Sequence, residues 1–247
     1  MINEILETWQ ESSDTMTSQS NPTYKCKYCG KSYRRESTLL AHMCESKRRV
    51  QQEKEVGVQL GMQAYLRFYE MTQGSAKMKT YADFAKSPYY SAFVKFGRHM
   101  VAIRAVNPKM FIEWVIKENK KLDHWTKDVI YQEFLSTYIR KEAVQDALER
   151  ALHEMQEYAD ETDGLAGLSD YFRFGSSNRI VHHIVNGRVS PWIVFNCDSG
   201  VEFLDTLNEE QIAMVMSTID PDYWQRKFVD YMADTEWTKS ILKEAGL

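Results

Sequence analysis

A mainly α fold, with a small ββα module ahead of a helical domain, is what three features of the 247-residue sequence predict. The first is a cluster of three of the four cysteines within residues 24–44, with a histidine among them. The second is the recurrence of apolar residues at intervals of three and four beyond residue 108, the period of a helix with one buried face. The third is a set of helix-start pairs, Ser190-Pro191 and Asp220-Pro221. In each, a side-chain acceptor precedes a proline whose missing N–H costs nothing in a first turn.

Residues 1–23 read as a short helix, with Ile2, Ile5, Leu6 and Trp9 on one face, followed by a polar linker that contains Pro22. The module of residues 24–49 comes next. Within YKCKYCGKSYRRESTLLAHMC, Cys26 and Cys29 form a C-x2-C pair whose tight turn can aim two thiolates at one metal, and His42 follows after twelve residues. Tyr24, Tyr33 and Leu39 occupy the small-core positions of a ββα zinc finger. The cysteines then lie on the hairpin, Lys27, Tyr28 and Gly30 make its turns, and the helix starts near Arg35 or Glu36. Zn2+ is the expected cofactor.

The fourth ligand departs from the usual second histidine, because the chain offers Cys44. Residues two apart on a regular helix project about 200° apart. Cys26, Cys29, His42 and Cys44 therefore bind one ion only if the helix frays or tightens over residues 41–45. The competing reading is a disulfide or a set of buried thiols. It is disfavoured because residues 1–10 carry two glutamates and no hydrophobic signal segment, which points to a reducing compartment. Cys197 reads as a small buried side chain.

From Ser46 to Met71 no proline intervenes, and an imperfect apolar stripe predicts a connecting helix across residues 50–80, with Gly57 and Gly61 as its weak points. The helical domain of residues 81–247 starts with aromatic-rich turns around Pro88, over residues 81–104. A short amphipathic helix follows at 108–119, and Asp123 is the expected cap of the next. The clearest helical pattern spans residues 125–158, with a break near Arg140. Asn178 reads as the cap of a helix that ends at Asn186-Gly187. The β-branched runs IVHHIV and WIVF, with the hairpin signal Asn-Gly, leave a two-stranded ribbon over 178–196 as the alternative. Asn208 and Asp220 start two further helices, and a last one ends at Gly246.

With 43% hydrophobic residues the chain can bury a sizeable core. It holds no run of eighteen apolar residues, so no membrane span is expected. The net charge of -4 conceals an asymmetry: residues 24–49 carry eight Lys and Arg against Glu36 and Glu45, about +6, leaving about −10 elsewhere. Dinucleotide, phosphate-loop, hydrolase and metalloprotease signatures are missing. Glu149, His153 and Glu157 share one helical face but lack the paired E-x-x-H of a di-iron bundle, and read as solvated charges. His182 and His183 point in different directions and read as structural. A non-enzyme without a small-molecule substrate is expected.

The segments AHMCESKRR, GRVSPWIVFNCDSGVEFLDTLNEEQ and IDPDYWQRKF resemble a zinc-knuckle protein family of T4-like bacteriophages associated with assembly of the tail baseplate hub. The resemblance covers most of the chain. It implies a non-enzymatic assembly factor or minor hub component, with other tail and hub proteins as partners, in the cytoplasm of the infected host cell or in the virion tail. It brings no catalytic residues, only the metal set that the spacing supports independently.

The alternative is a single-finger nucleic-acid-binding regulator. Arg35, Thr38 and Ala41 would then face base edges, and Lys31, Arg34, Lys47, Arg48 and Arg49 would contact phosphates. A lone finger covers about three base pairs and needs an extension, for which the Lys47–Arg49 tract is the candidate. The acidic remainder of the chain favours a protein partner.

Overall fold

The computed structural model describes residues 23–74, 79–162 and 165–247, and the helix and linker expected over residues 1–22 lie outside them. Two compact units divide the chain, Met1–Lys54 and Glu55–Leu247. In the first, strands β1 (Tyr24–Lys25) and β2 (Ser32–Tyr33) pair antiparallel, with Tyr24 opposite Tyr33. Helices α1 (Glu36–Ala41) and α2 (Glu45–Gln51) follow. This is the expected ββα order.

All the regular elements described in the second unit are helices, as the fold class predicts, including two over residues 81–104 where aromatic-rich turns were expected: α3 (Val56–Gln73), α4 (Tyr81–Lys86), α5 (Tyr90–Ala102), α6 (Pro108–Lys117), α7 (Asp128–Tyr138), α8 (Val144–Glu161) and α9 (Asp170–Phe174). Beyond these come α10 (Ser177–Val185), α11 (Pro191–Val194), α12 (Asp198–Asp205), α13 (Glu209–Ile219), α14 (Pro221–Asp230) and α15 (Met232–Glu244). Three sequence signals act as read. Ser190 caps α11 and Asp220 caps α14, each ahead of a first-turn proline. Asn208 and Gln211 form a reciprocal capping box on α13.

Other expectations are corrected. Asp123 lies within a short 3₁₀ turn, Leu122–His124, and caps nothing, while α7 starts after Lys127 without a side-chain cap. Asn178 sits inside the first turn of α10, whose N-cap is Ser176, and its Oδ1 instead accepts a bond from Gln211 Nε2 at 2.9 Å. The ribbon over 178–196 does not form. There Gly187, at φ +71°, closes α10 with its N–H on the Ile184 carbonyl, so Asn-Gly serves as a helix end instead of a hairpin turn.

The helix expected to run on from Ser46 is two helices. The second, α3, is set by what it packs on: the Glu55 carboxylate takes two 2.7 Å bonds from Arg98 of α5, anchoring the first turn. Its glycines then permit backbone contact between α3 and α5. A Cβ on Gly61 would lie 2.6 Å from the Phe93 carbonyl oxygen, and one on Gly97 would lie 2.5 Å from the Gly61 nitrogen and closer still to the Gly57 oxygen. Both neighbours are backbone and cannot turn aside. Gly97→Ala is therefore expected to lower the unfolding free energy by about 2–3 kcal/mol through overpacking, measured by urea denaturation, whereas Gly74→Ala has open space around it and opposes only its positive φ.

Aromatic rings fill the core beneath this crossing. Trp125, fully buried, meets Phe96 at 5.0 Å and Phe93 at 5.9 Å between centroids, and its indole N–H is satisfied by the Lys120 carbonyl. A second aromatic group joins Trp192, Trp224 and Phe228.

Charge is also buried in this unit, and the sequence pattern did not reveal it. On α8, Glu149 and His153 are exposed as expected, whereas Glu157, 3.3 Å from His153 Nε2, is one-third exposed and pairs with Arg104 at 2.9 Å. Their neighbour Glu154 is only 3% exposed and is held by Arg188 in a two-bond fork, Nε to Oε1 at 2.6 Å. Arg104 approaches the same carboxylate at 3.3 Å. His183 stands 3.9 Å away, and its Nδ1 is 2.7 Å from the Tyr171 hydroxyl. Burial, reinforced by Arg188 and Arg179, pushes the His183 imidazole down to about 4, so it is neutral there. His182 is exposed. With one imidazole buried and the other exposed, the paired histidines point apart, as the sequence implied.

Candidate metal centre

The C-x2-C knuckle is shaped by its backbone. Gly30, at φ +75°, allows the chain to turn so that its N–H bonds the Cys26 carbonyl at 2.8 Å, while the Cys26 N–H bonds the Lys31 carbonyl at 2.8 Å. Both thiols thereby face α1. That helix ends at Ala41, because His42 takes an extended conformation, φ −67° and ψ 122°, with its N–H on the Leu39 carbonyl. The chain stays extended through Cys44, φ −96° and ψ 163°, the N-cap of α2.

This break resolves the difficulty of the H-x-C spacing. On a continuous helix His42 and Cys44 would diverge; across the break they converge, and Cys44 Sγ also accepts the Lys47 N–H at 3.4 Å. The Lys47 ammonium caps the open end of α1 by donating to the His42 carbonyl at 3.1 Å. Tyr33 packs on the imidazole, ring centroids 4.9 Å apart.

The donor atoms of Cys26, Cys29, His42 and Cys44 all lie within 4.8 Å of one another. Cys26 Sγ is 4.0 Å from Cys44 Sγ, and Cys29 Sγ is 3.3 Å from His42 Nε2. A tetrahedral zinc with ordinary bond lengths requires sulfur–sulfur edges of about 3.8 Å and sulfur–nitrogen edges of about 3.6 Å. The residues fit the ion. The donor set, three thiols and one imidazole, suits zinc over harder cations, and four protein ligands leave no open position of the kind that activates water. The four residues are positioned to bind a zinc ion through the three sulfurs and His42 Nε2.

Without an ion, electrostatics within the site move the two knuckle thiols in opposite directions. The backbone N–H of Cys29 lowers the Cys26 thiol below its ordinary range against the opposing effect of burial. At Cys29 the Lys31 amide favours the thiolate, but desolvation and the neighbouring sulfurs outweigh it and raise the thiol. Three thiolates crowded together repel unless a cation neutralises them.

The residues expected to touch nucleic acid are distributed unevenly. Lys31, Arg34, Arg35 and Thr38 are exposed around the start of α1. Lys47, by contrast, is occupied with the His42 carbonyl, and Arg48 and Arg49 both pair with Glu45, at 3.5 and 3.0 Å. Sequence reading did not single out the apolar side chains beside them. Leu40 is 72% exposed and Met43 50% exposed. Leu40 also borders a recess of about 310 Å³ that is lined by Lys25, Lys27, Tyr28 and Lys47. No helix among the described residues is long and apolar enough to cross a membrane.

No curated protein and no solved structure matches the chain. Residues 24–45 match the family described as "Zinc finger, C2H2 type", so the module is similar to that family in its knuckle, helix and first three ligands, and differs in ending on a cysteine.

Proposed function

We propose that this protein is a non-catalytic binding protein whose zinc module docks on a partner protein, and that the partner is a component of a phage tail baseplate hub whose assembly it assists. The observation that carries the protein-binding reading is the exposure of Leu40 and Met43 among the lysines of the module. Apolar side chains held in water gain when a partner's apolar surface covers them, and phosphate groups offer none. The hub assignment rests on the resemblance of the AHMCESKRR, GRVSPWIVF and IDPDYWQRKF segments.

A second reading is supported by the exposed Arg34 and Arg35: a nucleic-acid-binding regulator. The two readings separate experimentally. Co-expression with tail hub proteins should yield a complex that survives moderate salt and weakens about tenfold or more with Leu40→Asp, as loss of a buried apolar anchor does. Duplex DNA binding that falls steeply with salt, is abolished by Arg35→Ala and is indifferent to Leu40→Asp would instead establish the regulator.

A further inference from the structure

The helical unit carries a cleft of about 770 Å³ between the α7–α8 turn, Trp192 of α11 and the corner joining α14 to α15. Its floor is aromatic and its walls are cationic. The Arg140 guanidinium lies 4.3 Å from the Tyr223 ring centroid, and the Lys227 ammonium lies 4.5 Å from that of Tyr231 and 5.8 Å from that of Trp192. One carbonyl fixes this arrangement: Arg140 O accepts from Lys227 Nζ at 2.8 Å and from the Tyr223 hydroxyl at 3.2 Å. Lys141 and Arg226 stand exposed on the rim.

The acids are arranged differently. Glu142 lines the cleft, yet its carboxylate is committed to Arg150 by bonds of 2.7 and 2.9 Å. Asp230 and Asp234 lie on the α14–α15 side. Next to them the corner is apolar and open to water, with Val229 65%, Tyr231 51% and Met232 63% exposed. Trp192 is buried and leaves its indole Nε1–H without an acceptor among the described residues.

We propose that this cleft is a second docking site, which takes an acidic peptide segment of a partner protein, its carboxylates on Arg140, Lys141 and Arg226 and a bulky apolar side chain against Tyr231 and Met232. Arg140, stacked over Tyr223 and 3.5 Å from the partly exposed Asp220 carboxylate, and Lys227, tied to the Arg140 carbonyl, are already oriented, so a carboxylate entering between them orders little further. Burial holds the Lys227 ammonium below the ordinary lysine range, which an incoming anion would reverse. A peptide is favoured over nucleic acid for two reasons. A continuous phosphate chain would have to pass Asp230 and Asp234, and it would face a unit whose residues 55–247 hold 22 Lys and Arg against 28 Asp and Glu. A short peptide needs only a local positive field and an apolar anchor.

The test uses the zinc-loaded full chain, immobilised, and a pool of short peptides in which Asp or Glu alternates with Leu, Phe or Trp. Retention should exceed that on the Lys141→Glu/Arg226→Glu variant by about tenfold, and Arg226→Ala alone should cause a partial loss. Both side chains are exposed, so an unchanged melting curve will confirm that the variant is folded. Leu40→Asp should leave retention unaltered, which separates this site from the zinc module. Equal retention by the charge-reversed variant, failure of the pool to bind, loss on Leu40→Asp, or displacement of the peptides by oligothymidylate would each overturn the proposal.

Discussion

Cys26→Ser will release zinc and unfold residues 24–45 while leaving the helical unit intact. The module's two strands are two residues each and its first helix six, and Cys26 is the buried apolar residue its core contributes among the described residues. Such a core cannot meet the entropy of ordering the chain. Metal binding supplies the difference, with about 10–16 kcal/mol typical of structural zinc in small fingers. Atomic absorption should find about one zinc per wild-type chain and less than about a tenth of that in the variant. Hydrogen exchange should show protection lost over residues 24–45 and kept over residues 55–247. Cys44→Ser is the sharper probe, because the break at His42 exists to bring Cys44 to the site. A variant that retains zinc as tightly as wild type would remove Cys44 from the ligand set.

Glu154→Ala should cost the helical unit about 3 kcal/mol or more. The substitution removes the carboxylate that holds Arg188, itself 9% exposed, and that faces Arg104 and His183. Loss of one member leaves a buried guanidinium without its fork partner, and the penalty is the desolvation of that orphaned charge. Glu157, 3.6 Å from Arg188, can recover part of it. The control is Glu157→Ala, on a partly exposed side chain, where about 1 kcal/mol or less is expected. Urea melts of the two variants should separate clearly. Equal small effects would mean that Glu154 is not the centre of the network.

The helices of this protein were legible where their signals are local. Ser190-Pro191, Asp220-Pro221 and Asn208 with Gln211 satisfy backbone donors within their own first turns, so neighbours in sequence suffice to specify them. Asp123 and Asn178 have the same side-chain chemistry but do not cap: Asp123 falls in a 3₁₀ turn ahead of the Lys127 N-cap, and Asn178 falls inside the helix that Ser176 precedes. Asn-Gly at 186–187 was ambiguous for a related reason: a left-handed glycine ends a helix as readily as it turns a hairpin, and only the partners of residues 178–185 decide between them.

For the metal centre, spacing alone determined the ligand types and the ββα order, since a C-x2-C turn and a histidine twelve residues on constrain the chain by short-range geometry. The H-x-C spacing also required the helix to give way over residues 41–45, and the structure ends it at Ala41, with the Lys47 ammonium donating to the His42 carbonyl. Two things belonged to the tertiary structure alone. The helix crossing at Gly57, Gly61 and Gly97 and the burial of Glu154 each join residues more than thirty positions apart. Periodicity reports which face of a helix is apolar, whereas the identity of what lies opposite, a backbone or a guanidinium, is a property of the folded chain.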